Sequence, residues 1–210
     1  MPSLVGRLFL SAARVLSAPA APWLRWVDAR RPSVRVEGVA VVVHPDAGPP
    51  GPPVAHLAEA LALLAAAAPR RLRRLRGDVA RLLVEPWSGT AGYSHRSRAI
   101  LFDPAHLRAA SPVWVAAALV HEATHARLSN RGVRPTARNL ARVERRCCAE
   151  QVDFLRRLPP ECAAEAARSV AWIEQCLAAP EPWYGRRAWA LRPLAPATRR
   201  RVEEDRARGV

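Results

Sequence analysis

A pair of histidines four residues apart, His121 and His125, restricts the fold more than any other feature of this sequence. In an α-helix, residues i and i+4 lie one above the other on the same face, so both imidazoles can reach one ion. Glu122 stands between them in the string HEATH, where its carboxylate can take a proton from a water that such an ion activates. The pattern predicts a helix that carries a zinc ion, and the alternative is a helix with two structural histidines.

The residues before the HEATH string have the composition of a well-formed helix. Ser111 is a typical N-cap, Pro112 suits the first helical position, and an apolar run covers residues 113–120. We predict that this helix ends near Leu128, before the segment Asn130–Gly132. The motif therefore lies inside a capped helix, which favours the metal-site interpretation.

A catalytic zinc ion needs a third protein ligand and one open coordination position. No histidine follows His125, which excludes a third ligand six residues further on. The next predicted helix begins after Pro135-Thr136, ends at Pro159-Pro160, and contains Glu144 and Glu150. At about 100° per residue, Glu144 lies near the centre of its apolar face and Glu150 lies at the margin. A buried carboxylate is costly unless it is paired or bound to a metal, so Glu144 is the predicted third ligand, with an ion pair to an arginine as the alternative.

With these residues, the sequence resembles the gluzincins, the zinc peptidases that include thermolysin and the membrane alanyl aminopeptidases. The matching residues are the HEATH string and Glu144, which follows after the eighteen-residue gap typical of the aminopeptidase group. The resemblance covers about residues 97–158, and the longer strings HEATHARL and RVERRCCAEQVDFLRRLP look more like small bacterial zincin-like proteins. It implies a zincin fold, with His121, His125 and Glu144 as zinc ligands and Glu122 as the general base of a peptidase.

The sequence departs from the gluzincin pattern in two places. Cys147 and Cys148 occupy the stretch where those families often place an Asp, Asn or Ser that orients a metal-binding histidine. We interpret both cysteines as small buried helix residues, with metal ligation as the alternative. No motif identifies the residue that stabilises the oxyanion. Tyr93 and His95, between two predicted strands, are the candidates, and an ordinary loop role is the alternative for each.

Short apolar segments predict a small sheet. Residues Val34–Val43, Val79–Val84 and Ala99–Phe102 have the composition of strands, and Val54–Ala68 has that of a helix. We expect an antiparallel sheet, with Ala99–Phe102 as the edge strand along which an extended peptide lies. The predicted fold class is α+β and zincin-like: a small antiparallel sheet packs on the HEATH helix, and a helix that carries Glu144 follows.

The chain is strongly basic, with a formal net charge of +15, and every one of its basic residues is arginine. We attribute this charge mainly to codon bias, with a selected polyanion-binding surface as the alternative. In both cases, non-specific binding of nucleic acid or anionic lipid is expected at low salt. The five arginines among residues 70–76 are predicted to form a solvated face, and nucleic-acid or lipid contact is the alternative.

We divide the chain into a basic amphipathic segment (1–31), a zincin-like metallopeptidase domain (32–180) and a Trp- and Arg-rich tail (181–210). No run reaches the roughly 18 apolar residues of a membrane-spanning helix, so residues 1–31 should pack on the domain or lie on a membrane surface. Four cysteines without a C-x-x-C spacing do not suggest a disulfide framework, which favours a reducing, cytoplasmic location, either free or peripheral at the membrane.

The predicted function is a zinc-dependent hydrolase that acts on a peptide or protein substrate. In that reaction, Glu122 serves as the general base for an attacking water. The alternative is a non-catalytic, zinc-bearing regulatory or nucleic-acid-associated protein on the same scaffold.

Overall fold

The structure is a computed structural model that describes residues 33–178, except Ser88 and Ala137. The predicted N-terminal segment and the C-terminal tail lie outside these residues. Within them, the fold is α+β, as predicted, with a mixed five-stranded sheet and six α-helices. No helix in this part of the chain is both long enough and apolar enough to cross a membrane.

The sheet is mixed, which corrects the expectation of an antiparallel one. Its strands are β1 (Val34–Val36), β2 (Val39–Val43), β3 (Arg81–Val84), β4 (Ala91–Ser94) and β5 (Ala99–Phe102). The spatial order is β1-β2-β3-β5-β4, in which β2, β3 and β5 are parallel while β1 and β4 are antiparallel to their neighbours. Two helices between β2 and β3 return the chain to the starting end of the sheet, which makes these two strands parallel.

The predicted strand Val34–Val43 is a hairpin instead of one strand. Glu37 and Gly38 have φ angles of 47° and 73°, and they turn the chain between β1 and β2. Two consecutive residues with positive φ are typical of the tight hairpin turns that match the twist of the flanking strands.

The edge strands of the sheet are β1 and β4, and β5 lies inside it, so the predicted edge strand Ala99–Phe102 is wrong. β5 pairs with β3 on one side and with β4 on the other. A short turn at residues 95–98, with Arg98 at a φ angle of 50°, folds β4 back along β5 and covers it.

The helices are α1 (Gly51–Ala67), α2 (Pro69–Asp78), α3 (Pro104–Ala109), α4 (Pro112–Asn130), α5 (Leu140–Leu155) and α6 (Ala163–Ala178). Helix α4 begins as predicted, because the Ser111 hydroxyl accepts a hydrogen bond from the Trp114 backbone N–H at 3.1 Å. It contacts α1, α2, α5, β4 and β5, and residues 115–120 are all buried. This segment belongs to the core, and the HEATH string continues it with His121, Glu122 and His125 buried and Ala123 and Thr124 half-buried.

One face of the sheet packs against these helices. Val41, Leu82 and Ile100 stand side by side across β2, β3 and β5, and each is at most 1% exposed. The alternate residues Val42 and Leu83 face the other side, as the two-residue period of a strand requires.

The arginine cluster at residues 70–76 forms helix α2, whose two leucines, Leu72 and Leu75, are buried in the core. Arg71 does not lie on a solvated face. Its guanidinium donates hydrogen bonds to Glu150 at 2.8 Å and to Asp153 at 2.6 Å, both on α5. Arg71 therefore links α2 to the helix that carries the predicted third ligand.

Candidate metal centre

Three side chains from α4 and α5 meet inside the core: His121, His125 and Glu144. The Nε2 atoms of the two histidines lie 3.2 Å apart. Glu144 Oε2 lies 3.3 Å from Nε2 of His121, and its Oε1 lies 3.4 Å from Nε2 of His125. The exposed fractions of the three residues are 4–6%. The structure thus brings the three predicted ligands together in a buried triangle.

The separations in this triangle fit a small cation. Four ligand atoms at about 2.0–2.1 Å from a tetrahedral ion lie about 3.3–3.4 Å from one another. The observed separations of 3.2, 3.3 and 3.4 Å agree with that geometry. The contacts of Glu144 end on different oxygens of its carboxylate, one facing each histidine, so the carboxylate and the two Nε2 atoms surround a space of the size that a small cation needs.

Cys147 lies near the same two histidines. One ligand atom each of His121, His125 and Cys147 lies within 4.8 Å of the other two, so this buried group could hold a metal ion. Cys147 has an exposed fraction of 0% and is a free thiol, like the other three cysteines of the chain. It follows Glu144 by three residues, so both side chains project from the same face of α5. Cys147 is therefore a small buried helix residue, as predicted, and the alternative of metal ligation stays open to it.

Burial and charge act in opposite directions on the ionisable groups of the site. Burial lowers the pKa of His125, but the Glu144 carboxylate outweighs this effect and raises that pKa to about 9. Burial also lowers the pKa of His121, whereas its hydrogen bonds with Cys148 and Glu144 raise it well above the ordinary value. Burial raises the pKa of Glu144, and the two histidines lower it far below the usual range. The carboxylates therefore give this pocket a negative potential that favours cations.

Among the described residues, the buried Oε2 of Glu122 lacks a hydrogen-bond partner, and Oε1 of Glu144 has only the long contact of 3.4 Å with His125. Glu122 is 5% exposed. A buried carboxylate oxygen without a partner is costly, and such atoms commonly mark the position of a bound cation or of a reacting group.

Gln151 is a buried residue of the site that the sequence interpretation missed. It is 1% exposed, and its side-chain oxygen lies 3.1 Å from Nδ1 of His121. When Nδ1 carries the ring proton, this N–H donates a hydrogen bond to the Gln151 oxygen, and the lone pair is then on Nε2, the atom that can bind a cation. The signal was present in the sequence, because Glu144, Cys147 and Gln151 follow the spacing i, i+3, i+7 of one helical face. Gln151 thus supplies the support that the gluzincin pattern gives to an Asp, Asn or Ser.

Glu150 has partners of its own outside the site. Arg71 and Arg146 each donate a hydrogen bond at 2.8 Å, one to each of its carboxylate oxygens. Burial raises the pKa of Glu150, but these arginines outweigh it and the pKa falls below its ordinary value. Glu150 therefore lies where the helical geometry predicts, at the margin of the buried face.

The neighbours of the two oxyanion candidates, Tyr93 and His95, follow from the groups that shift their pKa values. Burial raises the pKa of Tyr93, which lies in β4, while an interaction with Ser129 in the last turn of α4 lowers it. His95 lies in the turn after β4, where burial, Arg134 and Arg96 all lower its pKa. Tyr93 thus lies near the end of the HEATH helix, and His95 lies among arginines.

Comparison of this chain with protein-family models, with curated proteins and with solved structures gives no match. The gluzincin resemblance therefore stays a prediction, which depends on the HEATH string and Glu144. The function has to be inferred from the geometry and the chemistry of the buried site itself.

Proposed function

We propose that this protein is a zinc-dependent hydrolase of the gluzincin type, on a zincin-like fold, that cleaves peptide or amide bonds. The observation that carries the proposal is the buried triangle of His121, His125 and Glu144, with separations of 3.2–3.4 Å. Two histidines and one glutamate are the ligand set of thermolysin-type catalytic zinc, which keeps a fourth position open.

The ligand types favour zinc over other common cations. Imidazole nitrogens suit zinc, copper, iron and nickel, whereas magnesium and calcium prefer sites built from oxygen atoms. When bound, zinc supplies Lewis-acid polarisation of a carbonyl group and makes water nucleophilic at neutral pH.

Glu122 is the proposed general base. It follows His121 directly, and its buried Oε2 has no hydrogen-bond partner among the described residues. A carboxylate in this state can accept the proton of an attacking water and then donate it to the leaving amine. Gln151 positions His121 through Nδ1, so that the ring presents Nε2 toward Glu144.

The test is hydrolysis of a mixed peptide library by the zinc-loaded protein and by its Glu122→Gln variant. Gln has nearly the same volume but cannot accept the proton, so the variant should keep its zinc and lose about 10²-fold or more in rate. Equal rates would show that Glu122 is not the base. Bound zinc without hydrolysis of any peptide would contradict the peptidase proposal and favour a regulatory or structural metal.

A further inference from the structure

The site contains one more ligand-type side chain than the proposed reaction uses. Helix α4 contributes His121 and His125 at i and i+4, and helix α5 contributes Glu144 and Cys147 at i and i+3. Each spacing places both members of a pair on one helical face. Because α4 packs against α5, the two pairs face each other across one buried space.

The position of Cys147 suits coordination of the same ion. In a tetrahedral zinc site, bonds of about 2.3 Å to sulfur and about 2.0–2.1 Å to nitrogen set these atoms about 3.5 Å apart. The thiol and the two imidazoles have ligand atoms within 4.8 Å of one another. Because 4.8 Å is an upper bound on these separations, the sulfur lies at the ligation distance or within a small side-chain rotation of it.

The enclosure of the site also fits four protein ligands. Cys147 is 0% exposed, and His121, His125 and Glu144 are 4–6% exposed. Oε1 of Glu144 faces this space, where its contact with Nε2 of His125 is a long one, at 3.4 Å. Structural zinc sites are closed by four protein ligands, whereas catalytic sites keep one position open.

We propose that Cys147 is the fourth protein ligand of the metal in the resting protein, so that the site stays closed until this sulfur is displaced. The inference rests on the proposed function, because it assigns the fourth position of the same zinc site. Ligation forms a metal–sulfur bond and releases the thiol proton to solvent. When the sulfur leaves, the metal–sulfur bond breaks and the thiolate takes up a proton from solvent. The fourth coordination position, which a hydrolase needs for water, is then open. Cys147 would therefore keep the enzyme inactive, and it lies on the same helix as the ligand Glu144.

Cys148 is the matched control in the chain. It is the next residue on α5, it is also buried, and its side chain raises the pKa of His121 through a hydrogen bond, whereas Cys147 raises it through charge alone. The group of ligand atoms within 4.8 Å contains Cys147 instead. A comparison of the two alanine variants therefore separates ligation from the mere presence of a thiol beside His121.

The experiment is the absorption spectrum of the full-length protein after its metal is replaced by Co²⁺. Thiolate ligation of cobalt gives a charge-transfer band in the near ultraviolet, and ligation of any kind gives weaker bands in the visible. We expect the charge-transfer band in the parent protein and in Cys148→Ala, and its loss in Cys147→Ala with the visible bands retained. A charge-transfer band that persists in Cys147→Ala would overturn the inference.

A second measurement needs no variant, so it stands even if Cys147→Ala does not fold. X-ray absorption of the zinc-loaded parent protein should show one sulfur neighbour at about 2.3 Å. Zinc surrounded only by nitrogen and oxygen would overturn the inference and leave the proposed hydrolase intact. A parent protein that binds neither cobalt nor zinc would instead overturn the proposed function, and this inference with it.

Discussion

The side-chain oxygen of Gln151 lies 3.1 Å from Nδ1 of His121, on the ring atom that Glu144 does not face. Helix α5 therefore contacts both nitrogens of this imidazole, one through Gln151 and the other through Glu144. An acceptor at Nδ1 fixes the tautomer and the orientation of the ring, and both determine how well Nε2 binds a cation.

Loss of this acceptor should weaken the metal site. Gln151→Ala is expected to reduce zinc affinity about 10–100-fold, the usual effect of removing such a supporting partner. Gln151→Glu keeps an oxygen acceptor and should restore most of the affinity. Both variants can be compared with the parent protein by competition with a chromogenic chelator. If Gln151→Ala binds zinc as tightly as the parent does, Gln151 only fills space.

Glu144 and Glu150 allow an internally controlled comparison, since both lie on α5. Glu144 faces the two histidines at 3.3 and 3.4 Å, whereas Glu150 is bound by Arg71 and Arg146. Glu144→Gln should therefore weaken zinc binding sharply, and Glu150→Gln should leave it nearly unchanged, as measured by the same competition titration. The reverse ranking would contradict the ligand assignment. Small, equal effects would place the third ligand elsewhere.

The ion pairs of Arg71 should contribute measurably to stability. Arg71 joins α2 to α5 through Glu150 and Asp153, and the side chains of Arg71 and Glu150 are only 14% and 17% exposed. Arg71→Ala is expected to lower the free energy of unfolding by about 1–3 kcal/mol, as for hydrogen bonds between charged groups. Urea unfolding of the zinc-saturated proteins would measure the loss.

Arg76→Ala is the control for this effect. Arg76 pairs with Glu37, and both side chains are exposed, at 40% and 42%. Exposed pairs contribute at most about 1 kcal/mol. A larger loss of stability in Arg76→Ala than in Arg71→Ala would show that the pairs of Arg71 do not hold α2 against α5.

Helices α1, α4 and α5 and three members of the site were predictable because they depend on local periodicity, whereas α2 and α3 were not predicted. His121 and His125 share a face by their spacing alone, and Glu144 stands out because a carboxylate in the centre of an apolar face needs a cation. Cys147 and Gln151 share that face, but neither is charged, so their burial does not by itself indicate a bound cation. Their position relative to His121 depends on how α4 and α5 pack, which no local pattern specifies.

The sheet was less predictable because its pairing depends on long connections. The direction of β3 relative to β2 follows from the two intervening helices, and the sequence of each strand is compatible with either direction. Two turns were missed, the one between β1 and β2 and the one between β4 and β5. They contain Glu37 and Arg98 at positive φ, a conformation that these residue types seldom adopt. Their sequence therefore gave no clear turn signal.

Metal analysis of the purified protein tests the central claim most directly. The parent protein should contain about one zinc ion per chain, and His121→Ala and His125→Ala should each lose it, because each removes a ligand from the triangle. His106→Ala is the control, since that side chain is 39% exposed and pairs with Asp103. It should keep the metal. Full zinc occupancy in both His121→Ala and His125→Ala, with folding verified by circular dichroism, would contradict the assignment of this site.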